Sequence, residues 1–121
     1  MSNVIEELKA REPIFHRPEL GTDRADFESM IADGFWEIGA SGRCYSREFV
    51  LDELERRSQN PIEDVWETKD FLCRELAPDV FLLNYTLIQN KIRTTRRSTL
   101  WWRTEVGWKI LFHQGTIVQD E

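Results

Sequence analysis

Hydrophobic and polar residues alternate along the last quarter of the chain in a pattern typical of two paired strands. The stretch 97–118 carries three of the five tryptophans and contains a turn signal at 105–107. Its second half alternates Trp108, Ile110 and Phe112 with Lys109, Leu111 and His113. This period of two predicts strands over 97–104 and 108–118, with one apolar face that other elements must cover.

Three further strands are predicted upstream, over 35–40, 65–76 and 80–89. Successive side chains on a strand point to opposite faces, so the more apolar parity of each strand is expected to face the core. The residues expected inside are Trp36 and Ile38, then Phe81, Leu83, Tyr85 and Leu87, then Ser98, Leu100 and Trp102, and finally Trp108, Ile110, Phe112 and Gln114. Glu37 and His113 then face outwards, unless a bulge or a strong bend reverses their strands.

Helical periodicity predicts three helices: one over 3–12 that Asn3 can cap, one from about Thr22 or Asp23, either of which can be its cap, to Ile31, and one from a cap at Ser46 to about Arg57. Helices on one face of an antiparallel sheet are the α+β solution for covering an apolar sheet face. We therefore expect one domain over 1–121, with three N-terminal helices packed on a strongly curved antiparallel sheet of about five strands.

Charge is unevenly distributed along the chain, whose formal net charge is −6. Such acidity opposes nucleic-acid binding, and no apolar run approaches the roughly 20 residues of a membrane span. Lys91, Arg93, Arg96 and Arg97 nevertheless form a local basic run. We expect a solvated loop there, with an anion-binding patch as the alternative.

The N-terminal residues contain no basic segment followed by an apolar one, so no secretory signal is expected and a cytoplasmic location is predicted. Cys44 and Cys73 are far apart and are expected to be free thiols. The scattered histidines and cysteines predict no metal site. No glycine-rich phosphate loop or nucleophile elbow is present, and no cofactor is expected.

The predicted inner face suggests a cavity for a small apolar ligand, lined by aromatic residues with a few polar atoms. The candidate ligand-binding residues are Trp36, Tyr85, Trp102 and Gln114. A filled core, in which these aromatic residues leave no space, is the alternative. His113 or Glu37 is the candidate general base if the protein is an enzyme.

The opposite sheet face is expected to expose Trp101 among Arg97, Thr99 and Arg103. Tryptophan and arginine are favoured anchors of protein interfaces. We therefore predict a homodimer formed through the outer face of the sheet.

The order of elements, together with EPIFHRPE, FWEIGASGRCYSRE and FHQGT, resembles the family numbered 4440 among domains of unknown function. That family belongs to the nuclear transport factor 2-like superfamily, alongside SnoaL-like cyclases and ketosteroid isomerases. The resemblance covers about Ile5 to Val118. It implies a cone-shaped fold with a cavity at its open end and frequent dimerisation.

The resemblance implies no specific chemistry, because one scaffold serves several functions. A small-molecule-binding domain is the favoured function. An isomerase, cyclase or dehydratase and a purely structural dimerisation module are the alternatives.

Overall fold

The computed structural model describes residues 2–13, 23–59 and 65–118. Residues 14–19 of the EPIFHRPE motif lie outside the described residues. The elements, in chain order, are α1 Ser2–Lys9, α2 Arg24–Met30, β1 Ile31–Ile38, β2 Cys44–Ser46, α3 Arg47–Gln59, β3 Trp66–Ala77, β4 Val80–Gln89, β5 Arg93–Thr104 and β6 Gly107–Ile117. No helix in these three ranges is long and apolar enough to cross a membrane.

All the strands join one curved sheet in the order β2-β1-β6-β5-β4-β3. The α+β class is confirmed. In the described ranges there are three helices, of which only α1 and α2 precede the first strand, and the sheet has six strands rather than about five. The additional strand, β2, is only three residues long and pairs with β1. The sheet is also not wholly antiparallel, because β1 runs parallel to β6.

The chain passes from α2 directly into β1 at Ile31, whereas the sequence predicted helix as far as Ile31 and a strand only from residue 35. Arg47, the first residue of α3, stabilises this junction. Its Nε donates to the Ala32 carbonyl at 3.1 Å, and its Nη2 donates to the Ile31 carbonyl at 3.2 Å. A cation near the last carbonyl groups of a helix also complements the helix dipole.

The caps predicted for the second and third helices are confirmed, with Asp23 as the cap of α2, whereas Asn3, the cap predicted for the first helix, lies within α1. The Asp23 side chain accepts from the backbone N–H of Asp26 at 2.8 Å, and Ser46 Oγ accepts from the backbone N–H of Phe49 at 3.1 Å. The basic run predicted as a loop is instead mostly strand, since β5 begins at Arg93. Only the tight turn after Gln89 separates β4 from β5.

The core lies between the helices and one face of the sheet, which we call the inner face. Trp101 is fully buried there, and its ring meets Trp108 edge-on at 6.3 Å between centroids. Phe81 packs on the same Trp108 ring at 5.6 Å. Aromatic side chains therefore fill this part of the inner face. The helices contribute Val4, Leu8, Phe27, Val50, Leu51 and Leu54 to the core.

The inward parity predicted for the central strand is confirmed, because Phe81, Leu83, Tyr85 and Leu87 are all buried. The parity predicted for β1 and β5 is wrong. Trp36 is 46% exposed and Trp102 41% exposed, whereas Phe35 and Trp101 are buried. The expected interface residues Trp101 and Thr99 are thus inside the protein.

A β-bulge explains why the prediction for β6 is half right. Thr99 pairs with His113 and Trp101 pairs with Ile110, so β6 has one residue more than β5 over this interval. An extra residue moves every later side chain to the opposite face. Ile110 therefore faces inwards as predicted, while His113 replaces Phe112 and Gln114 on the inner face.

A buried carboxylate ties the segment after α1 to the sheet. Glu12 is completely buried and accepts hydrogen bonds from Tyr85 Oη at 2.9 Å and from Trp101 Nε1 at 3.1 Å. A buried charge is tolerated only when its hydrogen-bonding capacity is used. This contact joins residues that are 73 and 89 positions apart in the chain.

Replacing Glu12 with alanine removes the acceptor of two buried donors, so we expect Glu12→Ala to lower the free energy of unfolding by about 2–5 kcal/mol. Urea denaturation followed by tryptophan fluorescence measures the change. Glu7→Ala, which removes an exposed carboxylate from the preceding helix α1, is the control and should change stability by less than about 0.5 kcal/mol. Equal effects of the two substitutions would contradict the role of Glu12.

Candidate functional site

Polar side chains occupy the inner face of the sheet beyond the aromatic core. Glu37 on β1 pairs in register with His113 on β6, and His113 pairs with Thr99 on β5. Arg97 lies two residues from Thr99 along β5 and therefore on the same face. Period-two geometry thus brings Arg97 and His113 beside the carboxyl group of Glu37 on the inner face.

The Arg97 guanidinium is held in place by its neighbours on the inner face. Its Nε donates to Thr95 Oγ1 at 2.9 Å, and its Nη1 lies 3.2 Å from His113 Nε2. Burial lowers the pKa of Arg97, while the carboxylates of Glu37 and Glu12 favour its charged form. Because an arginine stays charged in proteins, a fixed positive charge stands at this point.

Gly115 leaves the space that this guanidinium occupies. It is the register partner of Arg97 on β6. A Cβ at position 115 would lie 3.2 Å from Arg97 Nε, closer than an ordinary van der Waals contact. Because Gly115 has no side chain, the side chain of Arg97 can lie across β6 at this position.

The hydrogen bonds of His113 determine its tautomer. A guanidinium only donates, so His113 Nε2 must accept from Arg97 and carry no proton. Nδ1 then carries the proton and donates to Thr99 Oγ1 at 2.8 Å. With both ring nitrogens engaged and the side chain buried, His113 orients Arg97 in this arrangement.

Glu37 differs from the other inner-face groups because its carboxyl oxygen Oε1 is buried and accepts no hydrogen bond from any described residue. Burial raises the pKa of Glu37 above its ordinary value of 4.5, and the charges of Arg97 and Arg57 only partly oppose that rise. A desolvated carboxyl group of this kind is a typical candidate for acid–base chemistry or ligand binding.

Two adjoining cavities, each of about 250 Å³, open beside Glu37, and together we call them the cleft. Both are lined by Glu37, Tyr45 and Arg57. The first, which we call the basic lobe, also contains Arg93, Arg97 and the turn at 39–41. The second, the apolar lobe, lies against α3 and is lined by Phe49, Val50 and Leu54 as well as Glu53.

The wall of the cleft contains a second glycine-dependent contact. Tyr45 stacks on Phe49 with ring centroids 4.8 Å apart, and its ring edge covers Gly39. A Cβ at position 39 would lie only 2.8 Å from Tyr45 Cε2. The tyrosine could keep its place between the two lobes only with glycine at this position.

The predicted site residues do not come together as expected. Trp36 and Trp102 lie on the outer face of the sheet, and Gln114 also takes the outward parity because of the bulge. Tyr85 is buried on the inner face but bonds to Glu12 and does not line the cleft. The two proposed general bases, Glu37 and His113, were expected outside and are both on the inner face.

The residues that sequence reasoning missed are mainly basic. Arg93 and Arg97 belonged to the basic run expected as a solvated loop, with an anion-binding patch as the alternative. Arg97 was also expected on the outer face of its strand, and Arg57 was treated only as the end of α3. The clustering of bases between 91 and 97 in an acidic chain was the available signal. No local pattern in the sequence indicates that this basic run lies near Glu37. The two are on β5 and β1, which come close only because β6 lies between them in the sheet. No cluster of three or more potential metal ligands occurs within the described ranges.

No known protein family model matches the chain, and no curated protein matches it. Solved structures do. A nuclear transport factor 2-like protein from Cytophaga hutchinsonii is 16% identical with a TM-score of 0.74, covering 98% of both chains. The fold is nuclear transport factor 2-like.

Two other structures with this fold have names that suggest enzymes. A nuclear transport factor 2-like protein from Streptomyces avermitilis, provisionally assigned as a dehydratase, is 15% identical with a TM-score of 0.75, covering 98% of this chain and 99% of its own. A protein from Parabacteroides distasonis, provisionally assigned as a ketosteroid isomerase, is 14% identical with a TM-score of 0.71, covering 96% and 89%. At these identities the likeness shows the fold alone.

The raised pKa of Glu37 predicts a pH-dependent effect of Glu37→Gln on stability. The folded protein favours protonated Glu37, so the stability this group contributes is complete below the unfolded-state pKa and is lost as pH rises through the folded-state pKa. Glutamine mimics the protonated form at every pH. The melting temperature of Glu37→Gln relative to the native protein should therefore increase as pH rises from about 4 to about 7.

Differential scanning fluorimetry at several pH values measures this difference, and any constant offset from the substitution cancels. Glu75→Gln, at an exposed position on β3, serves as the matched control. A relative melting temperature of Glu37→Gln that falls with rising pH would show that Glu37 is better stabilised as a carboxylate.

Proposed function

We propose that this protein is a small-molecule-binding domain and that the cleft at Glu37 is its binding site. The observation that carries the proposal is the buried, unpartnered Oε1 of Glu37 beside two adjoining cavities. An unsatisfied buried acceptor is costly, and a ligand that donates a hydrogen bond to it removes that cost. The ligand-binding residues of the proposal are Glu37, Tyr45, Arg57 and Arg97 in place of the predicted aromatic set.

An acid–base enzyme of the isomerase, cyclase or dehydratase type is the second candidate. The raised pKa of Glu37 supports it, because a base whose pKa lies nearer the working pH transfers protons more efficiently. Glu37 is the general base in this proposal rather than His113, whose ring nitrogens are both engaged. The resemblance to family 4440 and its SnoaL-like relatives remains part of the proposal and adds no residue roles.

The binding proposal predicts that small organic compounds perturb the cleft. Two-dimensional ¹H–¹⁵N NMR of the native protein, titrated with a library of neutral and charged organic fragments, should show shifts at Gly39, Tyr45 and Leu54. Glu37→Gln should weaken the binding of hydrogen-bond donors by about tenfold, since bonds to charged groups are the strong ones. The control Glu75→Gln should bind them as the native protein does. Fragments that shift only outer-face residues would contradict the proposal.

A hydrogen-exchange experiment distinguishes the enzyme proposal from the binding proposal. The hits of that library are incubated in D₂O, and exchange of their carbon-bound hydrogens is followed by ¹H NMR. If Glu37 is a general base, exchange should rise with pH through its pKa and fall about 10²-fold or more in Glu37→Gln. If the compounds bind at the cleft but their carbon-bound hydrogens do not exchange, the enzyme alternative is contradicted and the binding proposal stands.

We further propose that two copies associate through the outer face of the sheet. Trp36 and Phe112 are register partners there with rings 4.7 Å apart, and Leu100 and Leu82 continue the row across β5 and β4. Trp36 and Trp102 are both more than 40% exposed. A contiguous apolar surface is typical of a protein interface. Two copies of the chain can bury this surface together if the same face of each packs against the other in a two-fold symmetric dimer.

Light scattering of the native protein should give twice the chain mass of 14.4 kDa at micromolar concentration. Trp36→Lys should shift the mass towards that of one chain, because it places a charge in the apolar row. Val106→Lys introduces the same charge at an 86% exposed position in the β5–β6 turn and should leave the dimer intact. A native mass of 14.4 kDa would remove the proposal.

A further inference from the structure

We propose that the ligand of the cleft is an amphipathic organic acid, with its anionic group in the basic lobe and its apolar body in the apolar lobe. This inference rests on the proposed binding function and adds the chemical class of the ligand. Three features of the cleft carry it: an excess of cationic groups, an adjoining apolar wall, and a hydrogen-bonding group where the two lobes meet.

The basic lobe has three arginines against a single carboxyl group, although the chain as a whole has a net charge of −6. Of the five guanidinium N–H groups of Arg97, only those towards Thr95 and His113 have partners among the described residues. Arg97 also has no carboxylate within salt-bridge distance in those ranges. A desolvated guanidinium with free donors is well matched to a carboxylate, which accepts two parallel hydrogen bonds from it.

The other two arginines stand at the rim. Arg93 is exposed and donates to Gln89 Oε1 at 3.1 Å, while Arg57 is exposed at the end of α3. Neither forms a salt bridge with a described residue. Their charges add to the positive field in front of Arg97, which attracts small anions and weakens as salt is added.

The apolar lobe gives the ligand its second property. Val50 and Leu54 form its floor, and the stacked rings of Tyr45 and Phe49 form one wall. Its one carboxylate besides Glu37, that of Glu53, is engaged with Arg56 at 2.7 Å. An apolar chain or ring placed there is removed from water, which contributes roughly 25 cal/mol per Å² of buried surface.

Glu37, Tyr45 and Arg57 line both lobes, so they stand where the acidic group and the apolar body would join. Inorganic phosphate or acetate fills only the basic lobe, and an uncharged chain uses only the apolar lobe. The arrangement therefore predicts selectivity for molecules that combine the two.

The test compares 2-hydroxyheptanoate with 2-hydroxyheptanamide (heptanoate and heptanamide below), whose hydroxyl group can donate to Glu37 and which differ only in the charge of the head group. Inorganic phosphate, which has no apolar body, is the third probe. Each is titrated into the native protein and followed by ¹H–¹⁵N NMR at Gly39, Tyr45 and Leu54. Heptanoate should bind at least about tenfold more tightly than either other probe, since a charge-assisted pair and apolar burial act together. Its affinity should fall when the ionic strength is raised.

Arg57→Gln and Arg93→Gln each remove one cation from the exposed rim, so the core stays intact. Each should weaken heptanoate binding roughly three- to tenfold and should weaken heptanamide binding by clearly less. Arg96→Gln is the matched control, because Arg96 is an exposed arginine of the same strand on the outer face. It should bind heptanoate as the native protein does.

Equal or tighter binding of heptanamide at the cleft would overturn the acid assignment and leave the binding function standing. An equal loss of affinity in Arg96→Gln would show a general charge effect and would also overturn it. If none of the three probes shifts the cleft resonances at millimolar concentration, the amphipathic acid is excluded, while the fragment library still decides whether the cleft binds other molecules.

Discussion

The site depends on the hydrogen bonds that hold the guanidinium group of Arg97 on the inner face of the sheet. Thr95 and His113 fix its orientation, and Gly115 leaves it room. Burying a charge without a complete set of partners opposes folding. Its position therefore requires a stable sheet around it, and the aromatic packing of Trp101 and Trp108, beyond Thr99 on the same face, supplies rigid surroundings.

The inner face is divided between two tasks. Towards one end, large apolar side chains and the fully bonded Glu12 join the N-terminal segment, β4 and β5. Towards the other, Glu37 and Arg97 keep unused hydrogen-bonding capacity beside a space large enough for a small molecule. The first arrangement stabilises the fold. The second leaves buried polar groups without partners, at a cost in stability, at the place where we propose that a ligand binds.

Much of the fold follows from local patterns in the sequence. The helix caps at Asp23 and Ser46, the inward parity of β4 and the final hairpin were all predicted correctly, since each depends on neighbouring residues. The parallel pairing of β1 with β6 depends on residues about 75 positions apart, as in the pair of Glu37 with His113, and no local signal encodes it.

The candidate site was harder to predict because its strands do not turn their more apolar side chains towards the core, as the prediction assumed. Choosing the more apolar parity placed Trp36 and Trp102 inside, whereas β1 and β5 turn Glu37 and Arg97 inwards and leave apolar residues on the outer face. The bulge in β6 then reversed Phe112 and His113. Functional surfaces are where sequence patterning and burial disagree, and the glycines opposite Arg97 and Tyr45 mark the same places.

The most direct test of a desolvated, unpaired Glu37 is a ¹³C NMR titration of its side-chain carboxyl carbon in the ligand-free protein. Burial without a hydrogen-bond donor predicts a titration midpoint above the ordinary 4.5. A midpoint at or below 4.5 would mean that solvent or a positive charge already satisfies this carboxylate, and the cleft would then lack the group on which the proposed function rests.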